Sequence, residues 1–165
     1  MKTLLAAIAF ATLFAPAVSF AETLKFPSEA PIAEITIPDD WGPEETDSGI
    51  QATSADEAIY LAIDIASAKT SDTVIDDAFQ FLKDNGVTVN GSTQKRSEDT
   101  VNGLAMLNFD WTGTDKDGPV NVGLSMVPVS TDRMLVVTYW GQKGKQEKHA
   151  DELLAIIGSL KAIKR

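Results

Sequence analysis

Hydrophobic positions along the chain alternate between a period of two and a helical period, in an order that predicts an α+β fold. Ala33, Ile35 and Ile37 alternate with Glu34 and Thr36, and Pro38 stops the run, as expected of a strand with one covered face. An acidic, turn-rich stretch occupies residues 38–49. Residues 50–53 then read as a short strand that pairs across Ala55-Asp56-Glu57 with the next. In that next strand Ile59, Leu61, Ile63 and Ile65 share one face. Tyr60, Ala62 and Ala66 share the other, interrupted by Asp64, so both faces are expected to be covered. Over residues 73–85 the period becomes helical, with Val74, Ile75, Ala78, Phe79, Phe81 and Leu82 in one stripe. Ser71, Asp72 or Thr73 is the expected cap, and Asn85-Gly86 supplies the left-handed stop.

A run of antiparallel strands follows, with turn dipeptides at the joints. Val87 and Val89 open it, and residues 90–100 read as a polar connection. Asn102-Gly103 turns the chain into a strand whose Ala105, Leu107, Phe109 and Trp111 share a face. Asp117-Gly118 is the next hairpin signal, leading to Val120, Val122, Leu124 and Met126 on one face. Ser130-Thr131-Asp132 turns again, and residues 133–140 are apolar on both faces, which places them mid-sheet. The chain closes with a helix over residues 145–160, carried by Ala150, Leu153, Leu154, Ile157 and Leu160. Two apolar helical stripes need two surfaces to cover. The expected architecture is an antiparallel sheet of about six or seven strands packed by two main helices.

The first 21 residues change the picture of where the chain works. Lys2, an apolar run over residues 4–18 and Ser19-Phe20-Ala21 have the three parts of a secretory signal, with cleavage expected after Ala21. Pro16 and the shortness of the run argue against a membrane anchor that outlasts cleavage. The expected organisation is a signal peptide at 1–21, a mobile segment at 22–31 and a single domain at 32–165, in the periplasm or secreted. From Glu22 onward the chain carries 13 bases and 24 acids, a side-chain net of −11, which argues against nucleic acid as a partner. Residues 143–165 run against this trend with a local net of +3, read as cations that suit a helix end and aid solubility. The absence of Cys excludes disulfides, zinc–thiolate sites and thiol catalysis.

Tests for familiar chemistry fail one after another. There is no G-x-S-x-G, and the one histidine, His149, reads with Glu152 as part of a solvated helical face rather than as a catalytic or metal-ligating group. Gly144-Lys145 lacks the remaining residues of a phosphate loop. Asp115-Lys116-Asp117-Gly118 reads as a hairpin turn, since a calcium loop would need a carboxylate where Leu124 stands. Asp39, Asp40, Glu44, Glu45 and Asp47 are the densest set of hard oxygen ligands and read as a solvated acidic loop. Trp111 and Trp140 read as packing residues, while Trp41 sits in a loop where packing and partner binding are both open. Asn90-Gly91-Ser92 fits a glycosylation sequon and reads as a turn. No catalytic, metal or cofactor-binding residue is assigned, and no cofactor is expected.

The order of elements resembles the PsbP-like fold, shared by photosystem oxygen-evolving-complex proteins, a Ran-GTPase-binding protein and small bacterial envelope proteins of the DcrB kind. The resemblance rests on Ile35-Thr36-Ile37-Pro38-Asp39-Asp40-Trp41, on Asn102-Gly103-Leu104-Ala105, and on Ile156-Ile157-Gly158-Ser159-Leu160. It implies an α/β/α sandwich and a non-enzymatic accessory role through binding other proteins, and it carries over no functional residue. The expectation is therefore an exported binding or accessory protein of the cell envelope with a protein partner of unknown identity. Two alternatives stand beside it: a small extracytoplasmic hydrolase using paired carboxylates, and a small-molecule carrier with an apolar pocket between sheet and helix.

Overall fold

The computed structural model describes residues 21–163, so the signal segment read in the first 21 residues lies outside it apart from Ala21. Strands β1 (Ala21–Phe26) and β2 (Ala33–Pro38) are followed by a 3-10 turn at Asp39–Trp41 and the two-residue β3 (Glu44–Glu45). Then come β4 (Gly49–Thr53), β5 (Ile59–Ser67), helix α1 (Ser71–Asp84), and four long strands: β6 (Thr88–Val101), β7 (Leu104–Asp115), β8 (Gly118–Pro128) and β9 (Arg133–Gln142). A second 3-10 turn at Gln146–His149 leads into α2 (Ala150–Ser159), and β10 (Lys161–Ala162) closes the chain.

Seven strands form one antiparallel sheet in the order β3-β4-β5-β9-β8-β7-β6, and β1-β2-β10 form a small second sheet. Alternation along β5 decides what each face of the large sheet covers. Ile59, Leu61 and Ile63 join Leu135 and Val137 of β9 in a core shared with Ile35 and Ile37 of β2 and with Ile156 and Leu160 at the α2 end. On the opposite face Ala66, Val136, Val122, Leu124 and Trp111 meet Val74, Ile75, Phe79 and Leu82 of α1. Each fully buried Ile, Leu or Val contributes about 1.5–3 kcal/mol of burial free energy. Two such cores let a chain without cysteine dispense with covalent staples. The result is three layers: α1, the large sheet, and the small sheet with α2.

Four local features differ from the sequence expectation. Residues 22–31, expected to be mobile, include most of β1, which pairs along its whole length with β2 and buries Phe26 completely. Residues 90–100, expected to be a polar connection, belong to β6: both its faces are largely solvated, so no hydrophobic alternation marks it. The register of β6 on β7 shifts between Asn90 and Lys95. Helix α1 has no side-chain cap at Ser71, Asp72 or Thr73; its cap position is Thr70, whose hydroxyl instead accepts the Ser67 N–H at 2.9 Å. The last helix is shorter than expected. Residues 146–149 wind as a 3-10 turn, and the covered face of α2 centres on Ile156 while Leu154 is 71% exposed. Among the described residues the last turn of α2 carries no cation, and Lys161, just beyond it, lies 3.9 Å from Glu34.

Candidate functional site

Small side chains leave a gap between α1 and the β4–β5 edge of the large sheet. Ala62 of β5 faces Ala78 of α1, with Tyr60, Val74 and Phe81 around them, and together they bound a half-open chamber of about 340 Å³. Its polar groups come from three strands, the bend before β4 and the helix. Ser48 Oγ, just before β4, donates to Asp64 Oδ1 at 2.5 Å. Tyr60 Oη donates to Gln51 Oε1 at 3.1 Å. Asp77 reaches the rim from α1, and Thr138 of β9, the register partner of Ala62, lies in the floor. Thr138 is 3% exposed, and among the described residues its hydroxyl has no hydrogen-bond partner.

The electrostatics of the chamber follow from burial. Asp64 is held above its ordinary value chiefly by desolvation, against the Ser48 hydrogen bond, with Asp77's charge adding to the upward push. Burial and the Asp64 charge push the Tyr60 phenol up to about 12. Among the described residues, the lining includes no Lys, Arg or His.

A second polar cluster lies on the other side of the large sheet, where the turn entering α2 meets the β4–β5 hairpin. His149 Nδ1 is 2.8 Å from Glu152 Oε2, and Nε2 is 3.0 Å from Asp56 Oδ1. Trp41, itself buried, donates its indole N–H to the same Glu152 oxygen at 3.3 Å and meets the imidazole edge-on at 6.1 Å between centroids. Asp56 is anchored in turn by Ser54 Oγ at 3.0 Å, and Ser54 Oγ accepts the backbone N–H groups of Ala58 and Ile59. The Glu152 hydrogen bond chiefly raises the His149 pKa, opposed by burial, and the His149 hydrogen bond chiefly lowers Asp56 to about 2. Because the two carboxylates bind opposite edges of the ring, they do not converge on a point where an ion would sit. The cluster closes a joint in the fold.

His149 therefore departs from the expected solvated face: its side chain is 18% exposed and doubly bonded. The signal missed in the sequence was long-range, since Asp56 and Trp41 lie far from it along the chain. The acidic residues between 39 and 47 are spread over the 3-10 turn, β3 and the following bend; Glu45 Oε1 accepts the Ser28 N–H and Glu44 Oε2 accepts from Gln51. Among the described residues, no three His, Asp or Glu side chains gather as metal ligands do. Asp115 Oδ1 accepts the N–H groups of Asp117 and Gly118, so this segment is a hairpin turn, as its sequence predicts. Asn90 Oδ1 accepts from Ser92 within the irregular stretch of β6. Trp111 packs edge-on against Phe79, and Trp140 lies 4.4 Å from the Tyr60 ring beside the chamber.

Comparison with known proteins adds the fold. No family model matches the chain, and no curated protein does. Among solved structures, the cyanobacterial PsbP of Synechocystis sp. PCC 6803 superposes with a TM-score of 0.59 at 8% identity, covering 90% of this chain and 95% of that one. LpqN, involved in cell envelope biogenesis of Mycobacterium tuberculosis, superposes at 0.56 with 13% identity over 88% of this chain and 91% of its own. A protein of Bacteroides thetaiotaomicron matches at 0.53 with 14% identity over 81% of this chain but only 46% of the other. With two helices on a seven-stranded antiparallel sheet, this chain has the PsbP-like fold.

Proposed function

We propose that this protein is an exported accessory module of the cell envelope that works by holding another protein. The observation that carries this reading is the sheet surface that α1 leaves bare. Helix α1 lies over β5 and β9, and beyond it, on the same face, Ala105, Leu107, Met126 and Met134 border a shallow trough of about 570 Å³ rimmed by Glu98 and Asp99. Leu107 and Met126 are cross-strand partners, so the apolar strip is continuous across β7 and β8. Thioether side chains adapt to an irregular surface at low cost. The acidic rim favours a partner with basic flanks. The accessory role fits the fold neighbours, of which LpqN is described as involved in cell envelope biogenesis. It also fits the signal segment read in the first 21 residues.

The test is in-cell crosslinking of a tagged copy, followed by mass spectrometry, against an untagged background and an Ala105→Glu variant. Ala105 is exposed, so the variant is expected to fold as the parent does. The reading expects one protein or a few to be enriched by the parent and lost by the variant. Equal recovery by both, or none above background, overturns it.

A further inference from the structure

We propose that the chamber beneath α1 is a binding site for a small amphiphilic organic cation: an amine whose apolar body lies between Ala62 and Ala78 and whose charged head meets Asp64. This site is on a different part of the sheet from the trough described above, and the two readings stand or fall separately.

Charge selects the class of ligand. Two carboxylates, Asp64 and Asp77, face the space, and among the described residues no cationic side chain lines it. An anion would meet repulsion from both. Among the described residues Asp64 receives one hydrogen bond, from Ser48, although a carboxylate has room for about four. A half-buried carboxylate in that state is left without a counter-charge, and an ammonium group brings three donors and the missing charge together.

The floor gives the second, independent indication. Thr138 is almost fully buried, yet its hydroxyl, a donor and an acceptor at once, bonds to nothing. Buried hydroxyls are ordinarily satisfied, and this one, unpaired just behind the chamber wall, is the group a ligand atom meets when the Thr138 side chain turns about χ1. The remaining walls include the aliphatic faces of Ala62, Val74 and Ala78 and the ring of Phe81, with Thr46 and Gln51 as further polar groups. A volume of about 340 Å³ lies at the small end of the ligand-pocket range. The complement is a compact apolar body with one cationic end.

The protein as isolated from its expressing cell is titrated with 2-phenylethylamine, 2-phenylethanol and 3-phenylpropionate, following backbone amide shifts by two-dimensional NMR. The amine is expected to give saturable shifts at Ser48, Asp64, Ala78 and Thr138, at least tenfold tighter than the alcohol, with no response to the carboxylate. Asp64→Asn, which keeps an acceptor for Ser48, is expected to weaken the amine at least tenfold and leave the alcohol unchanged. Ala78→Leu, which fills the roof, is expected to abolish both; spectra of each variant away from the chamber report whether it is folded. Equal affinity for amine and alcohol, an undiminished amine response in folded Asp64→Asn, or no saturable shift at these four residues overturns the proposal.

Discussion

His149 Nε2 and Asp56 Oδ1 lie 3.0 Å apart, tying the turn that enters α2 to the β4–β5 hairpin. With Glu152 on Nδ1 as well, both ring nitrogens face carboxylate oxygens. A neutral imidazole has one N–H and satisfies only one of them, so the protonated ring is the form that satisfies both.

This joint makes stability depend on pH in two directions. The Glu152 hydrogen bond is the largest cause raising His149 above its ordinary 6.5. The contribution of His149 is complete below 6.5 and disappears as pH rises through the raised value. Asp56 is lowered from 3.8 to about 2, chiefly by its hydrogen bond from His149, so its contribution is complete above 3.8 and disappears as pH falls through about 2. Between 3.8 and 6.5 both are present. His149→Gln is therefore expected to unfold at lower urea than the parent in that window, with the gap closing in alkaline buffer. A gap that stays constant from acid to alkaline pH would contradict the ionised joint.

A ring lying across a glycine gives a second prediction. Tyr139 of β9 crosses Gly123 of β8, its register partner, to bring its hydroxyl 3.2 Å from Asp110 Oδ1. A Cβ at Gly123 would lie 2.0 Å from the Tyr139 ring, far inside contact distance. Burial and the neighbouring Asp110 push the phenol up to about 12, so it remains a donor at all ordinary pH. Gly123→Ala is expected to cost about 1–3 kcal/mol in denaturant unfolding by displacing the ring. Tyr139→Phe, which keeps the ring and loses one hydrogen bond, is expected to cost about 1 kcal/mol. A Gly123→Ala protein as stable as the parent would mean that the ring does not pack there.

The closing helix separates two side chains that look alike in the sequence. Ile156 is 1% exposed in the core shared with β2, and Leu154 points to solvent. Ile156→Ala is expected to cost about 2–5 kcal/mol. Leu154→Ala is expected to stay within about 0.5 kcal/mol of the parent. Unfolding curves that rank the two in the opposite order would place the wrong face of α2 against the sheet.

The sequence was most legible where local patterning and burial agree. The alternation of β5, the double-faced β9 and the Asn102-Gly103 turn, both of whose residues have positive φ, were all readable from neighbouring residues alone. It was least legible where tertiary contact overrides the local pattern. Nothing in the spacing of Ala150, Leu153, Leu154 and Ile157 says that the helix buries Ile156 and exposes Leu154. β6 carries no alternation because neither of its faces is covered. The sequence offers a pocket between sheet and helix only as one alternative, since the chamber arises from Ala62 and Ala78 meeting across layers, and the gap between two small residues has no signature in the chain. The environment of His149 is hidden for the same reason, since Asp56 and Trp41, unlike Glu152, lie far from it along the sequence.

Two buried hydroxyls on neighbouring strands provide the last prediction. Ser125 of β8 donates to Asn108 Oδ1 at 2.7 Å, whereas Thr138 of β9 has no partner. An unpaired buried hydroxyl bears a desolvation cost of about 1–3 kcal/mol that a methyl group of the same shape does not. Thr138→Val is therefore expected to raise stability in the ligand-free protein by about 1 kcal/mol. Ser125→Ala, which strands the Asn108 acceptor, is expected to lower it by a similar amount. Urea unfolding of both variants under one condition makes the comparison. If Thr138→Val loses stability as Ser125→Ala does, the Thr138 hydroxyl is already bonded in the free protein, and the chamber floor holds no open donor for a ligand to meet.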